Sequence, residues 1–372
     1  MVFIVSCKGQ DKRTNPNDKS EQKGESTAQS QTSSGDFVAS PFSVDANTRP
    51  NNTGLEFSYD GQLCHWVRNI FQDSRGNLWF GTNHFGLMRY NGKELEYFTE
   101  EDGLGAGRVN GITEDKEGNV WFCTYGGLTK YDGATFTNLS VEVGPIKNDL
   151  FDIVIDERDT FWISTVEGVV QFDGKEFTHF PVPKPKVEDP NPILSPNRVS
   201  TIMEDSAGII WFGFDGYGIT KFNPNSEDHF SFVTTENGLA DNNVSEIMED
   251  SKGNIWIGTM YGGISHYDGT TFTNFTKEGV IEGVEAAGFY EKDGNIWFSV
   301  EGVGVYKYDG QSFEILNEDD GLITKGVLSI FKDREGRFWF GGWKGLFRYD
   351  PEGKLKDGEV FLSVTKNGPW EQ

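Results

Sequence analysis

Cysteine, basic residues and long apolar runs are all scarce in this chain of 372 residues. Only 3 Cys are present, which excludes a disulfide-dense scaffold. No apolar run approaches the roughly 18 residues of a membrane-spanning helix. Lys and Arg number 33 against 58 Asp and Glu, a net charge of −25. Because nucleic acid and anionic lipid select basic surfaces, we expect neither as a partner.

The first 53 residues are distinct in composition. Residues 1–7 end in Ser6-Cys7 after a short apolar run, and they resemble the end of a bacterial lipoprotein signal peptide, in which such a Cys is lipidated. Residues 8–53 are rich in Ser, Asn, Gln, Lys and Glu. A segment of this kind buries too little apolar surface to offset its ordering entropy, so the sequence predicts a disordered tether. An ordinary N-terminal Cys is the alternative.

What the chain has in abundance is Gly, at 46 residues, and aromatics, at 14%. One Trp recurs about every 42 residues, a period typical of a four-stranded propeller blade. The seven copies are Trp79, Trp121, Trp162, Trp211, Trp256, Trp297 and Trp339.

Each Trp has the same neighbours in the sequence. Six residues before it stands an acid (Asp73, Asp115, Asp156, Asp205, Asp250, Glu291 or Asp333), and three before it a Gly, except at Asp159. We interpret these acids as turn formers, since an acidic side chain bonds turn amides and Gly or Asp accepts a left-handed backbone. A Gly and an aromatic residue follow each Trp, and then a turn that is usually Asp-Gly or Asn-Gly, a hairpin signal. The fold class is therefore all-β, a seven-bladed β-propeller of four-stranded antiparallel blades over residues 54–366.

Ring closure requires that one end of the chain complete the last blade, since an open ring leaves unpaired edges. Leu55–Tyr59 stands where a fourth strand would precede the first inner strand. We predict that it closes blade seven, with Val360–Val364 as the competitor.

The units DSRGNLWFGT, EDSKGNIWIGT and KDREGRFWFGG, with their following GLMRY, GGISHY and GLFRY strands, resemble the two-component regulator propeller repeat. The resemblance covers about residues 54–350. It implies the fold, and it implies an extracytoplasmic sensor module, since such propellers often form the sensor of hybrid two-component receptors that detect glycans. The kinase and the transmembrane helix of those receptors are not found in this sequence.

A site is expected on one face of the disc. The Asp-x-x-Gly and Asp-Gly turns on one face repeat almost unchanged, whereas the loops after each second strand and the loops entering each inner strand differ from blade to blade. We call the second the variable face. The candidate ligand-binding residues on it are His84, Phe85, Arg108, Tyr125, Glu167, Arg198, Asp215, Tyr217, Tyr261, Glu301, Trp343 and Lys344.

Aromatic rings among planar polar groups suit a polar ligand such as a sugar, although such residues also plug propeller channels. Glu167, Asp215 and Glu301 favour a neutral or cationic ligand over an anionic one. The Pro-rich insertion Pro181–Asn197 enlarges the entry to blade four, either as a wall of the site or as a tolerated insertion. No catalytic triad or metal spacing is legible, so we expect no catalytic residue, metal or cofactor, and no disulfide between Cys64 and Cys123.

Three functions remain open. The first is a lipid-anchored, extracytoplasmic, monomeric sensor that binds a glycan or another small polar ligand, held in the outer membrane through Cys7 and facing the periplasm or the cell surface. The second is a scaffold that docks an envelope protein. The third is a propeller lyase with His65 or His84 as base. A funnel lined by the aromatics would favour the first, a flat apolar rim the second, and a His converging with carboxylates the third.

Overall fold

Seven antiparallel four-stranded sheets follow one another along the chain in the computed structural model, which describes residues 63–141, 147–354 and 358–370. In each sheet the strands are paired in the order in which they occur in sequence. This confirms the seven-bladed propeller. Three 3₁₀ turns (Glu100–Asp102, Thr235–Asn237 and Glu318–Asp320) are the helical elements of the described part.

The strands are numbered β1 to β28, four to a blade. Blades one to four contain Val67–Gln72, Leu78–Thr82, Leu87–Tyr90 and Leu95–Phe98; Val109–Glu114, Val120–Thr124, Gly127–Tyr131 and Phe136–Leu139; Leu150–Ile155, Phe161–Thr165, Gly168–Phe172 and Phe177–Phe180; Val199–Glu204, Ile210–Phe214, Gly218–Phe222 and Phe230–Val233. Blades five to seven contain Val244–Glu249, Ile255–Thr259, Ile264–Tyr267 and Phe272–Asn274; Ala286–Lys292, Asn295–Val300, Gly304–Tyr308 and Phe313–Leu316; Val327–Lys332, Phe338–Gly342, Gly345–Tyr349 and Phe361–Ser363.

The repeat Trp side chains are packing residues between blades. All seven are at most 5% exposed, as the sequence predicted. Trp79, for example, lies 5.3 Å from the rings of both Phe122 and Tyr131 in the next blade. The hydrophobic core is therefore divided into seven clusters, most of them shared by two neighbouring blades.

The repeat Asp has a second role beyond forming its turn. In blade five, Asp250 accepts the backbone N–H of Asn254 with Oδ1 and the indole N–H of Trp256 with Oδ2. The same indole bond, at 2.7–3.0 Å, is made in every blade except blade six. Asp159, which replaces the turn Gly in blade three, adopts a left-handed φ of 65° as expected.

Blade six departs from the repeat because its first turn is shorter. Asp293 and Gly294 both have positive φ, at 55° and 78°, which is the geometry of a two-residue type I′ hairpin. Glu291 pairs in register with Ile296, as Gln72 pairs with Leu78 in blade one. The assignment of Glu291 as the repeat acid was therefore wrong: it is a strand residue, and it accepts the backbone N–H and the hydroxyl of Ser251 in blade five.

The fourth strand of blade seven is Phe361–Ser363, within the C-terminal apolar run. The assignment of Leu55–Tyr59, which lies outside the described residues, to this place was wrong. The C-terminal strand follows the third strand through a local hairpin, so its pairing costs less loop-closure entropy than bringing in the distant chain end.

The ring is sealed by side chains at the junction of blades seven and one. Trp370 stacks on Tyr90 of blade one at 4.5 Å and lies 5.9 Å from Trp339 of blade seven. Across the same junction, the backbone N–H of Arg334 donates to Gln72 Oε1. Equivalent hydrogen bonds, from a turn N–H to a side-chain oxygen of the next blade, link blades one and two, three and four, four and five, and five and six. The same kind of contact therefore continues across the junction of blades seven and one.

Candidate ligand-binding face

The variable face is built by two sets of loops. Because each blade is an antiparallel meander, the loops between second and third strands emerge on the same side as the loops that enter the inner strands. This places the predicted residues on one side of the disc, around the inner strands. Which of them lie together is determined by their contacts.

Three aromatic rings form a line across blades seven and one, which we call the aromatic row. The Trp343 and Trp66 rings are 6.2 Å apart with an interplanar angle of 24°, and the Trp66 and His84 rings are 6.3 Å apart at 25°. Both Trp side chains are half-buried, and His84 is exposed. Trp66 is held by backbone bridges to Trp343 and Gly345, so the row spans the junction of the ring.

Beside the row lie three arginines, Arg68, Arg108 and Arg198, which we call the arginine cluster. Arg108 lies over the Tyr125 ring at 4.4 Å, and Arg198 lies over the Phe151 ring at 4.5 Å. The Tyr125 and Phe151 rings are 5.8 Å apart in an edge arrangement, and they connect the two cations. These contacts join blades two, three and four.

Arg68 belongs to the same cluster by electrostatics. Burial lowers the pKa of Arg68 to about 10, and the positive charges of Arg108 and Arg198 contribute to the decrease. Arg68 is on the inner strand of blade one and Arg198 enters blade four, so the two interact across the central channel. Arg68 also donates to Asn83 Oδ1 at 3.1 Å, and Asn83 contacts His84 Nε2, which links the cluster to the aromatic row.

His84 stands between the two groups. Partial loss of hydration lowers the pKa of its imidazole, and the charges of Arg108 and then Arg68 lower the pKa further. The ring is therefore neutral at pH 7. A cavity of about 240 Å³ opens beside it, lined by His84, Phe85, Glu100, Arg108 and neighbouring backbone. The mouth of this region offers aromatic surface, cations and a neutral imidazole together.

The acidic candidates Asp215 and Glu167 are committed to the Pro-rich insertion. Buried Asp215 accepts the backbone N–H groups of Ile193 and Leu194, each at 2.8 Å, and lies 3.7 Å from Arg198. Glu167 accepts the side-chain amide of Asn197 at 2.8 Å. These bonds fix the insertion against blades three and four.

Phe85 lines the cavity, but most of its side chain is buried in the hydrophobic cluster that blades one and seven share. The other candidates lie apart from this centre. Tyr217 is covered by the Lys184 ammonium at 4.8 Å. Lys344 donates to the backbone carbonyl of Ile323. Tyr261 is 52% exposed in blade five.

Glu301 lies close to Glu285 in blade six. Burial, together with the nearby Glu301 carboxylate, raises the pKa of Glu285 to about 7.

The sequence did not indicate Arg68 or Phe151 as site residues, and it placed Trp66 on the variable face without assigning it to ligand binding. Arg68 and Phe151 occupy the second position of inner strands, where other blades have Asn, Ser, Ala or Leu. An Arg in an otherwise small or polar inner-strand position was the available signal. Trp66 precedes its strand by one residue, in an entry loop.

The described residues contain no group of three or more His, Cys, Asp and Glu that would hold a metal ion. Within the same ranges, no helix has the length and apolarity that a bilayer span requires. Cys64 and Cys123 are buried and free. Cys7 and the tether 8–53 lie outside the described part of the chain.

Comparisons with known proteins give one family and one fold. The family model for the two component regulator propeller matches residues 61–84, 103–126, 193–216, 238–261 and 321–344. These segments belong to blades one, two, four, five and seven. Blades three and six, which have no match, are the two with an unusual first turn. No curated protein matches the chain.

Among solved structures, the chain is similar to the extracellular domain assigned to the hybrid two component system BT3049 from B. thetaiotaomicron, with 21% identity over 84% of this chain and 45% of that one, and a TM-score of 0.66. A second is the extracellular domain assigned to the one component system BT4673 from the same organism, with 20% identity over 77% of this chain and 40% of that one, at 0.62. A streptogramin B lyase is 12% identical over 78% of this chain and 95% of its own, at 0.57. The chain thus spans less than half of the first two, and these likenesses establish the fold.

Proposed function

This chain is a member of the two component regulator propeller repeat family, and we propose that it is a sensor or binding module whose variable face binds a glycan or a similar polar ligand. The observation that carries the proposal is the aromatic row of Trp343, Trp66 and His84. The occurrence of the same fold in extracellular domains of two-component proteins supports a role in recognition.

The row has the chemistry that a sugar requires. A pyranose ring presents apolar C–H groups on its faces and hydroxyl groups around its edge. Half-buried Trp rings offer a flat apolar surface whose conformation is already fixed, so little side-chain entropy is lost on binding. Arg68, which is linked to His84 through Asn83, offers guanidinium N–H groups near the edge of that surface.

We further propose that the protein acts outside the cytoplasm, as an outer-membrane lipoprotein that faces the periplasm or the cell surface. The support is the sequence around Cys7, in which a short apolar run is followed by Ser-Cys and a polar tether. Attachment through a lipid on Cys7 would leave the propeller free to meet a ligand that the cell has not yet imported.

The test uses a glycan array, followed by calorimetry with any saccharide that binds. Trp343→Ala should weaken binding about 5- to 150-fold, the usual effect of removing an aromatic anchor worth ~1–3 kcal/mol. The matched control is Phe232→Ala, which removes an exposed aromatic ring from the outer strand of blade four. That variant should bind normally.

Two results would count against the site. Equal binding by wild type and Trp343→Ala would remove the aromatic row from recognition. A large fall in melting temperature for Trp343→Ala, comparable to that of Trp339→Ala, would identify Trp343 as a packing residue of the ring junction.

A further inference from the structure

The arginine cluster has few acidic partners. Within the described residues, no carboxylate lies within 4 Å of the Arg68 or Arg108 guanidinium. Arg68 donates to the neutral amide oxygen of Asn83, and Arg108 donates to that of Asn110. Asp149 acts on Arg108 electrostatically without forming an ion pair there.

Arg198 has one acidic neighbour, and that neighbour has other partners. Asp215 lies 3.7 Å away, beyond a short charge-assisted hydrogen bond, and its two oxygens accept the amides of Ile193 and Leu194. The buried Nε of Arg198 has no hydrogen-bond partner in the described part of the chain. Among the described residues, the three cations thus have one carboxylate within 4 Å, in a chain whose net charge is −25.

The guanidinium groups are also held in position. The Cζ atoms of Arg108 and Arg198 lie over the connected rings of Tyr125 and Phe151, at 4.4 and 4.5 Å from the ring centroids, which limits the rotamers of both side chains. Guanidinium edges match the geometry of oxyanions and bind them in bidentate fashion. A rigid, under-neutralised cation cluster is the arrangement that an anion stabilises.

We infer that Arg68, Arg108 and Arg198 bind an acidic group, a carboxylate or a sulfate ester, carried by the ligand that lies on the aromatic row. This rests on the proposed function and narrows it to acidic saccharides. It reverses the expectation of a neutral or cationic ligand, because two of the three acids behind that expectation, Asp215 and Glu167, hold the Pro-rich insertion instead.

The experiment compares matched probes by calorimetry. Uronic-acid oligosaccharides are measured beside the same molecules after reduction of their carboxyl groups, and sulfated oligosaccharides beside their desulfated forms. Sodium sulfate and sodium acetate, at an ionic strength held constant with chloride, distinguish a free anion from an anion carried on a sugar. The full chain is used throughout.

We expect an acidic probe to bind at least about tenfold more tightly than its neutral counterpart, as for one charge-assisted contact. Arg108→Gln should abolish this preference, so that acidic and neutral probes bind with equal affinity. Arg108→Lys, which keeps the charge without the bidentate edge, should restore part of it. The control Lys344→Gln removes a cation from the same face, outside the cluster, and should retain the preference.

Each remaining outcome has a definite meaning. Equal binding of acidic and neutral probes overturns the inference and leaves the proposed function standing. Binding of free sulfate or acetate as tightly as the acidic saccharides also overturns it, since the cluster would then be a simple anion site. If no saccharide binds, both fail together. If both Arg108→Gln and Arg68→Gln keep the preference for acidic probes, the arginines do not bind the acidic group and serve only in packing.

Discussion

The hydrogen bond between a repeat Asp and its Trp indole makes a contribution to the free energy of unfolding that can be measured, because blade six lacks this bond and provides an internal control. Trp256 donates its indole N–H to Asp250 Oδ2 at 3.0 Å. Trp297 is similarly buried but has no repeat Asp: the acid six residues before it, Glu291, is a strand residue whose carboxylate accepts the N–H of Ser251. Replacing either Trp by Phe removes a similar part of the ring. Only the replacement in blade five breaks a bond to a carboxylate.

The difference between the two variants can be worked out from these contacts. Hydrogen bonds to charged groups contribute about 1.5–3 kcal/mol to stability. Asp250 Oδ2 keeps a second donor, the side-chain amide of Asn254 at 2.9 Å, so the carboxylate is not left wholly unsatisfied. We therefore expect Trp256→Phe to lower the free energy of unfolding by ~1.5–2 kcal/mol more than Trp297→Phe does.

The assay is urea unfolding followed by circular dichroism, on wild type and both variants. Asp250→Ala and the double variant Asp250→Ala/Trp256→Phe complete a double-mutant cycle, which isolates the pairwise energy from the effect of lost ring volume. If the two Phe variants are equally destabilised and the coupling energy is zero, the indole bond does not stabilise the fold and the argument is refuted.

Two further predictions concern pH and location. Burial raises the pKa of Glu246 from 4.5 to about 7, so the folded chain binds more protons than the unfolded chain between these values and stability falls as pH rises from 4.5 to 7. Urea titrations at pH 5 and pH 8 measure the change in the free energy of unfolding between these pH values. Glu246→Gln, which still accepts the N–H of Gly288, should lose ~2 kcal/mol less stability over this range than wild type. An unchanged pH dependence would contradict the assignment. Labelled palmitate should enter the full-length protein in its native host and disappear in Cys7→Ala, whereas an unlabelled wild type would refute the lipid anchor.

The periodic features of the fold could be read from the sequence because they are repeated seven times. Trp at a fixed interval, preceded by a turn and followed by a hairpin, predicts blade number, strand order and the burial of Trp79 to Trp339. The turn of blade six was misread because counting back from Trp297 ignores a deletion in the turn. Glu291 is an acid at the expected distance, but the strand register puts it in another role.

Features that occur only once in the chain were harder to predict from the sequence. Two segments competed for closure of the ring, and the choice depended on the local hairpin that brings Phe361 back to Tyr349. The arginine cluster joins Arg68, Arg108 and Arg198 from three separate blades. No local spacing connects these residues, because their proximity is produced by the circular arrangement of the inner strands. The acidic residues suggested the opposite charge preference until the partners of Asp215 were known.

The short hairpin at Asp293 and Gly294 bears on how such a chain can change over time. A lost residue inside a strand would turn every later side chain to the opposite face of the sheet. In blade six the residue is missing from the turn that precedes Asn295. The side chains of the second strand therefore alternate between the two faces of the sheet as they do in the other blades. The long insertion at Pro181–Asn197 is likewise absorbed ahead of Val199. The strand register of each blade is therefore independent of the length of the loops before it. Loops on the variable face can change one at a time while the propeller that carries them stays the same.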